Sequence, residues 1–518
     1  MAIADYFLYA DLGRDATYSH PLADLSAYVE QVDYTFGMAD SFDEIAPPSE
    51  FTAVLRDPAF DIMPERPLAR YFGLLKPGLA VRFQSRFQNE AQTQYTGRLR
   101  DFVPTPGEYG TRQARLVVTD VMRELQKAEY APTMQEGVRT DEALQAVFDD
   151  DVVAFPYTAL PDTITAFETG RTTFEYIGDV HENKKQEGVS PWGYIQDVVG
   201  AEVGGRFFWN PKTARFVFLS RRHDTETLVS DTFTGDDFND ADADYRYADH
   251  LINAITVNFI PRDLGAAGTV VATYPSLPLT VSNLANFRIT MRYRTTVTAV
   301  GQIGIVAGSG IQPVAGVDYA ATDETSGYGA TQDRTDRLTV TASFKGDKVV
   351  LHIVSTENST IYLNTLQVRA TPAYTFDRIQ VSAENAASIA AYERHEAEPL
   401  QLLALDNRDF AQQVADSIVK KSGEPIGRFA SVSFAGNASD RMMAHALTRA
   451  IGDKITIVHA AIGHDSDYII VGQRHRIAFG GERPHRVTWT LFPAARTRYW
   501  RIGVPGWGEL GTTNRLIL

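Results

Sequence analysis

Cysteine is absent from all 518 residues, which removes disulfides, thiolate nucleophiles and sulfur-ligated zinc together. An excess of basic charge is also absent. The 49 Lys and Arg face 65 Asp and Glu, a formal net charge of −16, so no global positive field draws phosphate backbones and ordinary nucleic-acid binding is disfavoured. No run of about 18 apolar residues occurs, and Asp5 and Asp11 interrupt the apolar core that a signal peptide needs. The chain is therefore expected to be neither signal-exported nor membrane-spanning by itself. A Gly-rich loop followed by Lys and Ser or Thr is missing, which leaves a nucleotide triphosphatase without support. His395-Glu396 lacks the second histidine of a zinc-protease helix.

What is present suffices for packed cores. The chain is 44% hydrophobic, 11% aromatic and only 22% charged, a composition that folds nearly throughout. Its length corresponds to roughly three to four domains of ~150 residues.

Alternation of apolar and polar residues dominates the first 119 positions. Tyr28 to Phe36, Phe51 to Leu55, Leu79 to Phe83, Tyr95 to Phe102 and Leu116 to Thr119 all read as strands, with turns at Gly37 and Pro77-Gly78. They predict a small antiparallel barrel or sandwich. From Asp120 the period turns helical, and Asp141 to Phe148 gives a second short helix with acids in its first turn, so 120–190 reads as a small α/β unit. Pro191 to Val199 predicts a helix ending at Gly200, and Arg206 to Trp209 with Arg215 to Leu219 predicts a hairpin around Asn210-Pro211-Lys212-Thr213.

Residues 264–373 differ in composition, with Thr, Val, Gly and Ala in strands that carry few charges, and they predict a β-sandwich of Ig-like size. Leu251 to Phe259 before this block and Phe376 to Val381 after it read as strands of one host, so the sandwich is expected to be an insertion. The host is then 191–263 plus 374–518, a second barrel-like unit with a helix pair from Ser388 through Lys421. The fold class is mainly β and multidomain.

Candidate chemistry is sparse. Asp236, Asp237, Asp240, Asp242 and Asp244 place several carboxylates close together as calcium would want, but Tyr245 and Leu251 stand where an EF-hand needs Gly and Glu, which favours a solvated loop. Asp149-Asp150-Asp151 follows a helix end, where acids oppose the dipole, and again reads as a loop. His181, His223, His250 and His395 have no ligand spacing. Ser309 lies between glycines of a strand-rich block and not on a strand-to-helix elbow, so turn glycines account for it. Trp192, Trp209, Trp489 and Trp500 stand in or beside apolar runs that predict core packing, and only Trp507 has a loop context. No catalytic, cofactor-binding or metal residue is predicted, and no cofactor.

The order of segments is more informative than any of these. Pro21 to Val29, Pro77 to Arg82, Tyr95 to Leu99, Ala114 to Asp120, the helix at Trp192, the hairpin from Gly205 to Arg222, Leu251 to Val257, Ala387 to Tyr392 and Tyr499 to Leu516 are co-linear with the siphophage tail hub family, also called minor tail or baseplate hub proteins, which the chain resembles. The resemblance covers most of the chain except the insert. At Glu393 the chain departs from it, because the family often has Gly after the Tyr.

The resemblance implies two tail-tube-like barrel units per subunit and a homotrimer whose ring continues the tail tube at the virion tail tip. Its expected partners are a distal tail or tail-tube ring protein, the tape-measure protein and DNA in transit at ejection, with host surface glycan as a candidate for the insert. It implies no catalysis. Siphophage and contractile-tail systems share the paired barrels and are not separated. Two rival classes stand beside this reading. A carbohydrate-active hydrolase would need two carboxylates about 5 to 10 Å apart in a cleft, and a carbohydrate-binding adhesin would need exposed coplanar aromatics on the insert.

Overall fold

The computed structural model describes residues 2–494 except 58, 60, 106–111, 129, 131–134, 150–162, 178–189, 239–242, 295–302, 325–331, 346–347 and 480–482, together with 498, 499, 514 and 515. It is mainly β and multidomain, as the alternation predicts. Twelve strands form one sheet, six from the first 119 residues and six from Val229 onward. The N-terminal six are β1 (Asp5–Ala10), β2 (Val29–Gly37), β3 (Glu50–Arg56), β4 (Ala80–Phe87), β5 (Glu90–Thr105) and β6 (Gln113–Thr119). The other six are β7 (Val229–Thr234), β8 (Asp244–Tyr247), β9 (Gly427–Ala435), β10 (Lys454–His459), β11 (His464–Ala478) and β12 (His485–Pro493).

Hydrogen-bonded neighbours run β1-β4-β5-β6-β3-β2-β11-β12-β9-β8, while β10 pairs with both β11 and β7. The two sets of six therefore meet along a single antiparallel ladder between β2 and β11, from Gln31 opposite Ala478 to Gly37 opposite Gly472. Each half has its own core. In β2 the period of two sends Val32, Tyr34 and Phe36 inward beside Phe51, Phe83, Tyr95 and Leu116, and the second half packs Phe233, Phe434, Ile457, Tyr468 and Trp489. Met443, Leu447 and Ile451, from the helix Asp440–Thr448 and the loop after it, enter the N-terminal core, so the second half plugs the first.

Side-chain packing groups the middle of the chain into two further layers. The helix Pro191–Glu202 and the hairpin Arg206–Asn210/Arg215–Leu219 share a core with Met122, Leu144 and Phe174 of the preceding segment. This helix has Pro at its start and Ser190 accepting from the Gly193 amide, but it runs two residues past Gly200 to Glu202. It stops at Val203, whose φ of 49° is left-handed. A separate layer joins the strands Ala254–Phe259, Ile379–Glu384 and Leu400–Leu402 to the helix Arg408–Ser422. The two strands that flank the insert are antiparallel partners, Ala254 opposite Glu384 and Phe259 opposite Ile379. Between them lie a four-stranded and two three-stranded sheets, and a core of their own that includes Val271, Leu351, Ile361, Leu363 and Val368.

Candidate assembly face

With the inward positions of β2 committed to the core, the outward ones, Gln31, Asp33 and Thr35, join Glu50, Thr52 and Arg474 around a shallow recess over the β2–β11 ladder. Asp33 is its centre. Arg474 donates to both carboxylate oxygens at 3.1 and 2.8 Å and Arg476 donates at 3.0 Å, so guanidiniums of the C-terminal half clamp a carboxylate of the N-terminal half. Burial works to raise the Asp33 pKa, and the hydrogen bonds and charge of the two arginines outweigh it, leaving it below the usual carboxylate value.

The same pattern continues outward. Arg100 faces Glu50 at 3.6 Å, Arg56 faces Glu30 at 3.9 Å, and Asp5 takes Arg86 and Arg483 at 3.1 Å each. Arg86 lies over Phe7, and Arg82 lies over Tyr9 and, at 4.2 Å, over Tyr18. Although the whole chain is acidic, this face holds more arginine than acid, because the strands place Arg56, Arg82, Arg86, Arg98, Arg100, Arg115, Arg474 and Arg476 outside. Chemically it is a broad polar surface whose carboxylates are held by arginines and on which arginine is in excess. Such exposed pairs fix orientation more than they stabilise, at about 0 to 1 kcal/mol each.

The residues singled out in the sequence do not converge. Asp237 is held by Arg441 at 2.7 Å and Asp244 by Arg246 at 2.7 Å, Asp236 is exposed, and Asp240 and Asp242 lie outside the described residues. Asp149 accepts from Gln145, while Asp150, Asp151, His181, Trp500 and Trp507 lie outside the described residues. His223 bridges Glu168 and the Gly452 carbonyl, His250 stacks on Phe42, and His395 contacts the Tyr392 carbonyl. Ser309 donates to Val306 in a turn. Trp209 and Trp489 are buried in separate cores and Trp192 packs against the first of these. Among the described residues no group of three or more His, Asp and Glu is arranged to hold a metal ion. The described stretch of the C-terminal segment that carries the family resemblance is limited to Tyr499, Asn514 and Arg515.

The carboxyls pushed up furthest are Glu44, to about 7, and Asp120, to about 6, both through burial. Each is fixed on backbone: Glu44 accepts from the Gly204 amide, and Asp120 accepts from those of Ser49 and Met122. They hold loops in place.

Structures of known proteins can be set beside this architecture. The chain is similar to phage tail proteins. Over 94% of its length it aligns with 96% of a tail protein from Neisseria meningitidis, at 9% identity and a TM-score of 0.45. A tail protein of prophage MuSo2 from Shewanella oneidensis aligns over 94% of this chain and 98% of its own, at 10% identity and a TM-score of 0.44. A prophage tail protein from Listeria monocytogenes aligns over 89% and 94%, at 7% identity and a TM-score of 0.36. No protein-family model matches the chain, and no curated protein matches it.

Proposed function

We infer that this protein is a structural tail-tip or baseplate hub subunit of a long-tailed phage or a related particle, three copies of which form a ring continuing the tail tube. The observation that carries the reading is the joining of two six-stranded halves, each with its own core, into one continuous sheet through β2 and β11. A subunit made of two such halves presents six sheet units from three copies, the number needed to meet a sixfold tube with a threefold ring. The co-linear resemblance of the chain to tail hub proteins supports the same reading.

In this role the polar face of the joined sheet is the candidate channel lining. Carboxylates offset part of its arginine charge, Asp33 with Arg474 and Arg476, Glu50 with Arg100 and Asp5 with Arg86, which weakens the hold of the face on a passing phosphate. The ring would engage the end of the tape-measure protein and a neighbouring tube or distal tail ring, and the insert would project outward. No step of chemistry is assigned to the protein.

The test is cryo-electron microscopy of the particle, or of the purified protein at high concentration. Three copies around an axial channel wide enough for duplex DNA, in register with a sixfold tube, is the expected result. A monomer in both preparations, or another stoichiometry, would overturn the reading.

A further inference from the structure

Where the two halves meet, the core is crossed by a continuous line of buried polar side chains. Ser85 and Gln94, from the N-terminal half, begin it: the Gln94 amide donates to Ser85 at 2.9 Å and to the Leu447 carbonyl at 3.3 Å. Lys212, at the tip of the hairpin from the middle of the chain, donates to Leu447 at 3.0 Å and to the Arg449 carbonyl at 2.9 Å. The Gln473 amide also donates to Arg449, at 3.0 Å. The line then runs through His475 and His485 to Tyr6 on β1. Tyr6, His475, His485, Gln473, Gln94 and Ser85 are all at most 5% exposed.

The protons in this line have one consistent arrangement. Gln473 uses its amide on Arg449, so its oxygen accepts, and His475 must carry its hydrogen on Nε2, 3.2 Å away. Nδ1 of His475 is then an acceptor for the Nε2 hydrogen of His485 at 3.0 Å, and Nδ1 of His485 accepts from the Tyr6 hydroxyl at 2.9 Å. Each imidazole has spent its single proton. One further proton fits at the Tyr6 end, because Tyr6 can turn its hydrogen to the Met443 sulfur, 3.8 Å away. A second leaves two N–H groups facing each other between the rings.

Among the described residues, the groups around the pair offer no compensating anion. From β2, Tyr34 stacks on His475 with ring centroids 4.6 Å apart, and Phe36 lies beyond it. From the hairpin comes the Lys212 ammonium, which feels Asp453, and Arg483 acts on Tyr6 while ion-paired to Asp5. Lys212 and Arg483 are the charges that face this cluster among the described residues, and both are positive.

We propose that this line is a proton-operated latch, closed while both imidazoles are neutral and opened by acid, which releases β1 and the Lys212 hairpin from β11 and β12. Burial supports the direction, followed by the like charge of Lys212 at His485, held down to about 3, and by the charges of His485 and then Lys212 at His475, held well below its ordinary value. For a histidine depressed in the folded state, the stabilisation is intact above the unfolded value near 6.5 and is lost as pH falls toward the folded value. The window therefore opens below about 6.5 and extends toward about 3. The latch is a property of the single chain and stands apart from the ring reading.

Hydrogen exchange read by mass spectrometry between pH 7.5 and 4.5, corrected for intrinsic rates, tests it, with the insert strands Lys348–Ser355 and Ile361–Ala370 as internal reference. Amides of β1, β12 and the hairpin should lose protection at least tenfold relative to the insert on acidification. In the double variant His475→Gln/His485→Gln, which keeps donors and acceptors but cannot charge, that loss should vanish. Equal protection of seam and insert at pH 4.5, or an unchanged loss in the double variant, would overturn the latch. Should the double variant not fold at pH 7.5, Lys212→Met decides: removing the like charge should move the acid midpoint of the seam downward, and an unmoved midpoint overturns the proposal.

Discussion

Glu393 shows what a single position can reveal. The resemblance to tail hub proteins expects glycine after Tyr392, and this chain keeps the glycine-type backbone without the glycine: Glu393 has φ 67° and ψ 176° at the end of the helix Ala386–Tyr392. Its carbonyl is fixed by the Asn253 amide at 2.7 Å, so the turn is held from outside and a side chain is forced into a region that favours glycine. Glu393→Gly should therefore stabilise the protein by about 1 kcal/mol, the strain relieved being partly offset by the greater unfolded-state freedom of glycine. Chemical denaturation checks this, and a lower midpoint would mean that the backbone at Glu393 is unstrained. At this scale the apolar residues were the most readable, since Trp209 and Trp489 lie in cores as their apolar neighbours imply. The Tyr6–His485–His475 line was not readable, because its members belong to strands from opposite ends of the chain and share no spacing.

Elements follow the same division. Strands β2 to β6 were visible in the period of two, whose inward set is fixed by burial on one face, while β1, β7 and β8 were not. The partnership of β2 with β11 was not, because local periodicity says nothing of which distant strand supplies the other half of a ladder. The structure marks that junction with glycine on both sides: Gly37 and Gly472 are register partners. A Cβ on Gly37, itself at φ 88°, would lie 2.5 Å from the Val471 carbonyl oxygen, and one on Gly472 would strike the carbonyl oxygen of Met38. These contacts are backbone, so no rotamer change relieves them. Gly472→Ala should consequently cost about 3 kcal/mol, as overpacking of a closed ladder does. Gly200→Ala is the contrast, since its Cβ would meet only the Glu44 carboxylate at an ordinary 3.7 Å inside a helix, and the change should be neutral or stabilising by up to ~1 kcal/mol. Equal denaturation midpoints for the two variants would show that the β2–β11 ladder tolerates separation.

For the whole molecule, the decisive question is whether the insert is separable from the body that carries the joined sheet. Composition alone set residues 264–373 apart, since the shift to Thr, Val, Gly and Ala persists across them and the flanking strands keep the host pattern. The chain leaves the host through Ala254–Phe259 and returns through its antiparallel partner Ile379–Glu384, and the last rungs before the insert place Arg262 opposite Thr375 and Leu264 opposite Ala373. The buried core residues of the insert fall between Val271 and Ala370, so they bury against one another and not against the joined sheet. Because Leu264 and Ala373 already face each other, an Asn-Gly turn can replace 265–372 and keep this ladder, at the loss of the pairing of Pro372–Thr375 with Ile303–Ile305. The shortened protein should fold, keep the oligomeric state of the full chain in light scattering, and retain the hydrogen-exchange protection of β2 and β11. If it aggregates, or β2 and β11 lose protection, the insert is part of the cooperative core. If it folds with that protection intact but loses the oligomeric state of the full chain, the insert itself supplies the subunit contact.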